Sequence, residues 1–179
     1  MEFWKSEIGE LSGKAEDAFT KIFSVIPDNT TTIAKIDKFI INENFYQIEW
    51  KITEGEFKNQ HVFQKIKAFD ADPKKRHRAL NMMMYIYNLF NVKPNHSSKP
   101  TEDDLKVFID KHAGIKIKEW SMERTDSPGF IEGNFVSEIY PAQNFKCEIG
   151  KKIEKQYSIV DSAFTRNNKI EELQDEIPF

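Results

Sequence analysis

Gln60-His61-Val62-Phe63-Gln64-Lys65-Ile66-Lys67-Ala68-Phe69, continuing into Asp70-Ala71-Asp72-Pro73-Lys74-Lys75-Arg76-His77-Arg78, is the stretch that decides the fold. Its first ten residues alternate: Val62, Gln64, Ile66 and Ala68 share one face, and His61, Phe63, Lys65, Lys67 and Phe69 the other. A period of two is that of a strand. The period then changes. Asp72 suits a helix N-cap and Pro73 the first helical position. Ala79, Met82, Met83, Ile86, Leu89 and Phe90 recur at helical spacing after it. A strand thus passes through a short turn into a long helix.

Upstream, Thr31 to Asn42 is rich in Thr, Ile and Phe and reads as a first strand, turned by Asn42-Glu43-Asn44. Phe45 to Thr53 is a second, with Tyr46, Ile48, Trp50 and Ile52 on one face. Downstream, the loop 93–100 carries two prolines, and Thr101-Glu102-Asp103-Asp104 resembles a capping box opening a short helix to about Lys111. Ala113 to Met122 reads as a fourth strand, Arg124 to Gly133 as a loop, and Asn134 to Tyr140 as a fifth strand stopped by Pro141. Three strands, a helical connection and two strands is the element order of an OB-fold barrel. A small α+β sandwich and another open barrel are the alternatives. The expected class is therefore mainly β (α+β), a five-stranded OB-fold-like barrel over residues 31–160. Residues 1–30 form an N-terminal extension, with a short amphipathic helix over 15–26 closed by Pro27-Asp28-Asn29. Residues 161–179, with no periodicity and closing carboxylates, read as a disordered acidic tail.

The chain of 179 residues is long enough for one well-filled core. No stretch approaches 18 apolar residues, and Met1 to Glu7 lacks the pattern of a secretory signal. The single cysteine, Cys147, excludes an internal disulfide and a Cys-rich zinc site. A soluble protein of a reducing compartment, the cytoplasm, is the expectation. Net charge is −3, but residues 51–100 hold ten Lys and Arg against four Asp and Glu, while residues 170–179 hold four carboxylates and no base. The centre is basic and the end acidic.

Lysines mixed with aromatics on one strand face suit single-stranded nucleic acid, since lysines follow phosphates and rings stack on bases. His61, Phe63, Lys65 and Lys67 on the third strand have this character, as do Lys116, Lys118 and Trp120 on the fourth. The alternative is that Phe63 and Trp120 pack under another element and the lysines only solvate. Lys74, Lys75 and Arg76 open the helix where its macrodipole disfavours positive charge, which a bound phosphate would relieve. A solvated face with Asp72 as partial relief is the competing reading. The four histidines show no ligand spacing, and no P-loop, GxSxG or GxGxxG is present. Glu54 with Glu56, or Asp70 with Asp72, are the carboxylate pairs on which a metal-dependent nuclease would draw; as turn or cap residues they need no metal. No cofactor, resident metal or catalytic residue is expected.

The chain closes Asp175-Glu176-Ile177-Pro178-Phe179, after Glu171-Glu172. This resembles the acidic tip of bacterial single-stranded DNA-binding proteins, which docks on partner proteins through its terminal Phe. The body is similar to a family of phage single-stranded DNA-binding proteins of replication and recombination modules. The likeness runs through Lys5 to Leu11, Ala15 to Phe19, Gly55 to Lys65, Asp72 to Met82, Lys116 to Trp120 and Gly133 to Val136. It implies a non-enzyme that coats single-stranded DNA in the bacterial host cytoplasm and recruits replication or recombination proteins through residues 175–179. An adaptor docking on host replication factors is the other function this pattern allows. The bacterial proteins lack the N-terminal extension, and their tetramer-forming surface is not recognisable in this sequence, so the resemblance implies no oligomeric state.

Overall fold

A computed structural model describes residues 25–95, 98–124 and 129–153. Five strands, β1 (Thr30–Ile41), β2 (Tyr46–Ile52), β3 (His61–Ile66), β4 (His112–Glu123) and β5 (Phe130–Pro141), close into a barrel in the order β1-β2-β3-β5-β4. Two helices, α1 (Pro73–Leu89) and α2 (Glu102–Lys106), connect β3 to β4. All pairings are antiparallel except β3 with β5, which closes the barrel in parallel at Phe63 and Phe135. This is an OB-fold-like barrel, with the helical connection where the sequence places it.

Closure depends on β1. Its first half pairs with β4 and its second half with β2, so one strand borders both. A bulge at Asp37, between Ile36 and Lys38, supplies the bend. Inward positions are apolar and mostly β-branched: Ile36, Ile48, Ile52, Val62, Ile66, Ile115 and Ile117 are all buried. Gln64 also points in at 3% exposure, and its Oε1 accepts from Trp50 Nε1 at 3.0 Å, so its burial is compensated. Ala79, Met83, Ile86 and Tyr87 of α1, with Leu105 and Phe108, belong to the same core.

Ile26 is 1% exposed, and its backbone N–H and C=O both bond the Asn134 side chain, at 2.8 Å each. After β5 the chain returns along β1: Thr31 and Glu148 exchange backbone hydrogen bonds at 2.8 and 3.0 Å. Phe145 lies over Gly114, where any Cβ would collide with its ring, and stacks on Tyr140.

Several boundaries differ from expectation. β3 ends at Ile66, because the Ala68 N–H turns back to Ile66 C=O at 2.9 Å; Lys67 and Phe69 therefore leave the strand face. α2 stops at Lys106 instead of Lys111; Phe108 and Ile109 bond three residues back, and Asp110 takes φ 64°. β5 begins at Phe130, inside the expected loop. The helix expected over 15–26 and the tail from 161 lie outside the described residues, except that Val25 and Ile26 are not helical. Among the described residues no helix is long and apolar enough to cross a membrane.

Candidate nucleic-acid interface

Outward side chains of β2 and β3 meet in cross-strand pairs: Gln47 with Lys65, Glu49 with Phe63, Lys51 with His61. The row through Phe63 continues to Phe135 on β5 and then Lys118 on β4. The two strands singled out from sequence are therefore not neighbours; β5 separates them, and Phe135 joins their faces.

Phe135 changes the role of Trp120. The indole packs against Phe135 and Met122 in a small cluster outside the barrel core and is 5% exposed. Gly133 lies beneath it: a Cβ there would stand 2.8 Å from three indole atoms. The expected stacking platform is packed, and offers no open ring face to a base. Lys116 is engaged too, its Nζ 3.0 Å from Glu138, which also accepts from the Tyr140 hydroxyl. That partnership raises the Lys116 pKa, and the Tyr140 and Lys116 hydrogen bonds lower that of Glu138. Lys118, on the same face of β4, is half-buried and lies across from Phe135.

At the end of β3 the arrangement differs. The turn after Ile66 carries Lys67 and Phe69 and delivers the chain to α1, whose first residues, Lys74, Lys75, Arg76, His77 and Arg78, are all exposed. Arg76 Nη1 donates to Asp70 C=O at 3.0 Å, tying helix to turn. Lys65 on β3 and Phe45 just before β2 form a cation–π pair, Nζ 4.0 Å from the ring centroid. Desolvation in this setting, and then the charge of Lys67, push the Lys65 pKa down. Phe69 is 39% exposed, rests against Tyr46 at 5.2 Å, and has Lys99 Nζ 5.7 Å from its centroid. Two rings and a series of bases share this rim. From Lys65 to Arg78 there are six Lys and Arg against two Asp.

Those two aspartates have structural duties. Asp72 caps α1, its Oδ1 accepting from Lys74 N–H at 2.8 Å, and Asp70 Oδ1 accepts from Asp72 N–H at 2.9 Å. Asp72 thus takes up one N–H of the helix start and offsets part of its positive charge, as the competing reading has it, while the side chains of Lys74, Lys75 and Arg76 stay exposed. The other pair a nuclease would draw on, Glu54 and Glu56, is exposed either side of Gly55, which turns at φ 81°.

His61 keeps acidic company. Its Nε2 is 3.7 Å from Asp37, which the β1 bulge places there, and its Nδ1 is 3.8 Å from Glu49. Glu49 also holds Lys38 at 3.0 Å. Asp37, Glu49 and His61 can be drawn together as metal ligands. The imidazole turns opposite ring nitrogens to the two carboxylates, each beyond hydrogen-bond distance. Two carboxylates also make this a poor place for a phosphate, and His61 begins β3, at the other end of the strand from Lys65.

Sequence reasoning missed Phe45, Phe135 and Lys99. Phe45 is the first residue of an alternating run, and its parity with Gln47, Glu49 and Lys51 is the signal that would have found it. Lys99 lies in a loop and carries no periodic signal. The docking residues Asp175, Glu176, Ile177, Pro178 and Phe179 lie outside the described residues. Compared with protein-family models and with curated proteins, the sequence matches none.

Proposed function

We propose that the protein binds single-stranded DNA without strong sequence preference, as a non-enzymatic factor of phage replication or recombination. The observation that carries this reading is the rim where Phe45, Lys65, Lys67, Phe69 and Lys99 meet the exposed bases Lys74, Lys75 and Arg76 on an OB-fold-like barrel. Rings and lysines in alternation serve a flexible strand whose base faces are open; a duplex hides those faces. Phosphate contacts supply affinity and salt dependence, and stacking supplies tolerance of sequence. Residues 175–179 complete the proposal: acidic side chains and Phe179 recruit a partner protein of replication or recombination, leaving the barrel to the DNA.

Charge removal at two places tests where the strand runs. Lys74→Ala with Lys75→Ala lowers the salt slope of single-stranded DNA binding by about 1.4, at about 0.7 per phosphate contact. Lys116→Ala leaves it nearly unchanged, because that lysine is held by Glu138. Equal effects at both places would remove the rim from the proposal. No binding of either variant or the parent to any oligonucleotide would favour the adaptor reading.

A further inference from the structure

We propose that Lys65 and Lys99 act as removable caps on the Phe45 and Phe69 rings, yielding those rings to nucleobases and moving to phosphates when a strand binds. The inference rests on the single-stranded DNA reading and adds which rings stack and how they are kept when empty. Phe45 and Phe69 lie at one end of the barrel, before β2 and after β3, and Tyr46 supports Phe69 from the core side. Each ring carries a lysine, Lys65 Nζ at 4.0 Å and Lys99 Nζ at 5.7 Å from the centroid. Neither lysine has a carboxylate among the partners seen for it; its companion is the ring. This differs from Lys35, Lys38, Lys106 and Lys116, which pair with Asp110, Glu49, Asp103 and Glu138.

A lysine on a ring is held by the ring's quadrupole alone, which is weak at a surface. A base covers more of the ring than an ammonium does and stacks more strongly. The displaced ammonium gains a phosphate, a full charge partner, where before it had a quadrupole. For Lys65 the exchange also relieves the desolvation that lowers its pKa. In the empty protein the lysine stems cover part of each ring, leaving Phe69 39% exposed.

The test uses the full chain with oligothymidylate as probe, in three readings. In the free protein the Lys65 side-chain methylene protons resonate upfield under the Phe45 ring current, and the probe returns them toward ordinary values. Phe45→Ala and Phe69→Ala each weaken binding about 5- to 100-fold, and Phe45→Trp retains it. Lys65→Ala lowers the salt slope by about 0.7. At about 1 M salt, where attraction reaches only about 3 Å, it binds as tightly as the parent or tighter, since its ring is already open. Thermal unfolding near that of the parent confirms that each variant is folded. Parent-like affinity in both Phe→Ala variants, or Lys65 signals unmoved by the probe, would overturn the caps while leaving single-stranded binding standing. A parent protein that does not bind the probe at low salt would bring down both.

Discussion

The indole of Trp120 lies flat over Gly133, with Phe135 and Met122 packed around it. Alternation along β4 places Trp120 on the side of Lys116 and Lys118, and the pairing agrees. Parity states which side of the sheet a residue takes, not what covers it. The cover comes from β5, whose first residues, Phe130 to Gly133, read as the end of a loop because Ser127-Pro128-Gly129 and Gly133 break regular structure. Here Gly133 is required by the ring above it, and Asn134 bonds Ile26. Trp120→Ala should therefore cost about 3–5 kcal/mol of stability, as loss of a packed aromatic does, while the folded fraction binds single-stranded DNA as the parent does. Thermal denaturation with a parallel titration checks both halves. Glu49 gives a second expectation at this scale. Glu49→Gln removes a carboxylate beside Phe63 and leaves Lys38 without its ion pair. Affinity for single-stranded DNA should rise at low salt, and the gain should fade as salt screens it.

At the scale of the element, α1 begins against its own dipole. Its first turn holds no acidic residue, and Lys74, Lys75 and Arg76 follow Pro73 directly, so Asp72 must both cap the helix and offset the charge. Asp72→Ala should cost about 1 kcal/mol of stability. Asp72→Asn keeps a good cap and removes the charge, so most of the stability should persist while single-stranded DNA binding tightens; equal affinity would show that this carboxylate does not oppose the strand. The start of this helix was legible because cap, proline and apolar spacing are all local. The length of α2 was not. Its capping box is present, with Asp104 and Thr101 bonded reciprocally. The end, however, is set by distant contacts: Asp110 N–H bonds Ile36 C=O on β1 at 2.8 Å, and Phe108 is drawn into the core. The end of β3 is likewise fixed by the turn leading to α1, which the continuing alternation through Phe69 conceals.

For the whole molecule, barrel closure joins faces that lie far apart in the chain, and element order alone places the helical connection but not Phe135 between Phe63 and Lys118. The return of residues 142–151 along β1 has no periodicity to announce it; it depends on Gly114 leaving room for Phe145. Gly114→Ala should lower the melting temperature by displacing that ring. Acid should also destabilise the fold. Asp104 is lowered by the Thr101 backbone N–H and hydroxyl, Asp110 by Lys35, and Glu138 by Tyr140 and Lys116. A depressed carboxyl pKa contributes stability above its unfolded value, about 4, and loses it as pH falls through the folded value. Melting temperature should hold from neutrality to about pH 5 and drop below about pH 4. The drop should be smaller in Asp104→Asn, and salt should reduce these surface contributions.

The central claim concerns the rim of β2, β3 and α1, and fluorescence anisotropy with a mixed-sequence oligonucleotide, single-stranded and then as duplex of equal length, tests it over a series of salt concentrations. Single-stranded DNA should bind more tightly at every salt, with affinity falling as salt rises and a stacking contribution surviving at the highest concentration. Equal affinity for the two forms, or binding that vanishes entirely with salt, would contradict it and leave only a basic patch on a barrel.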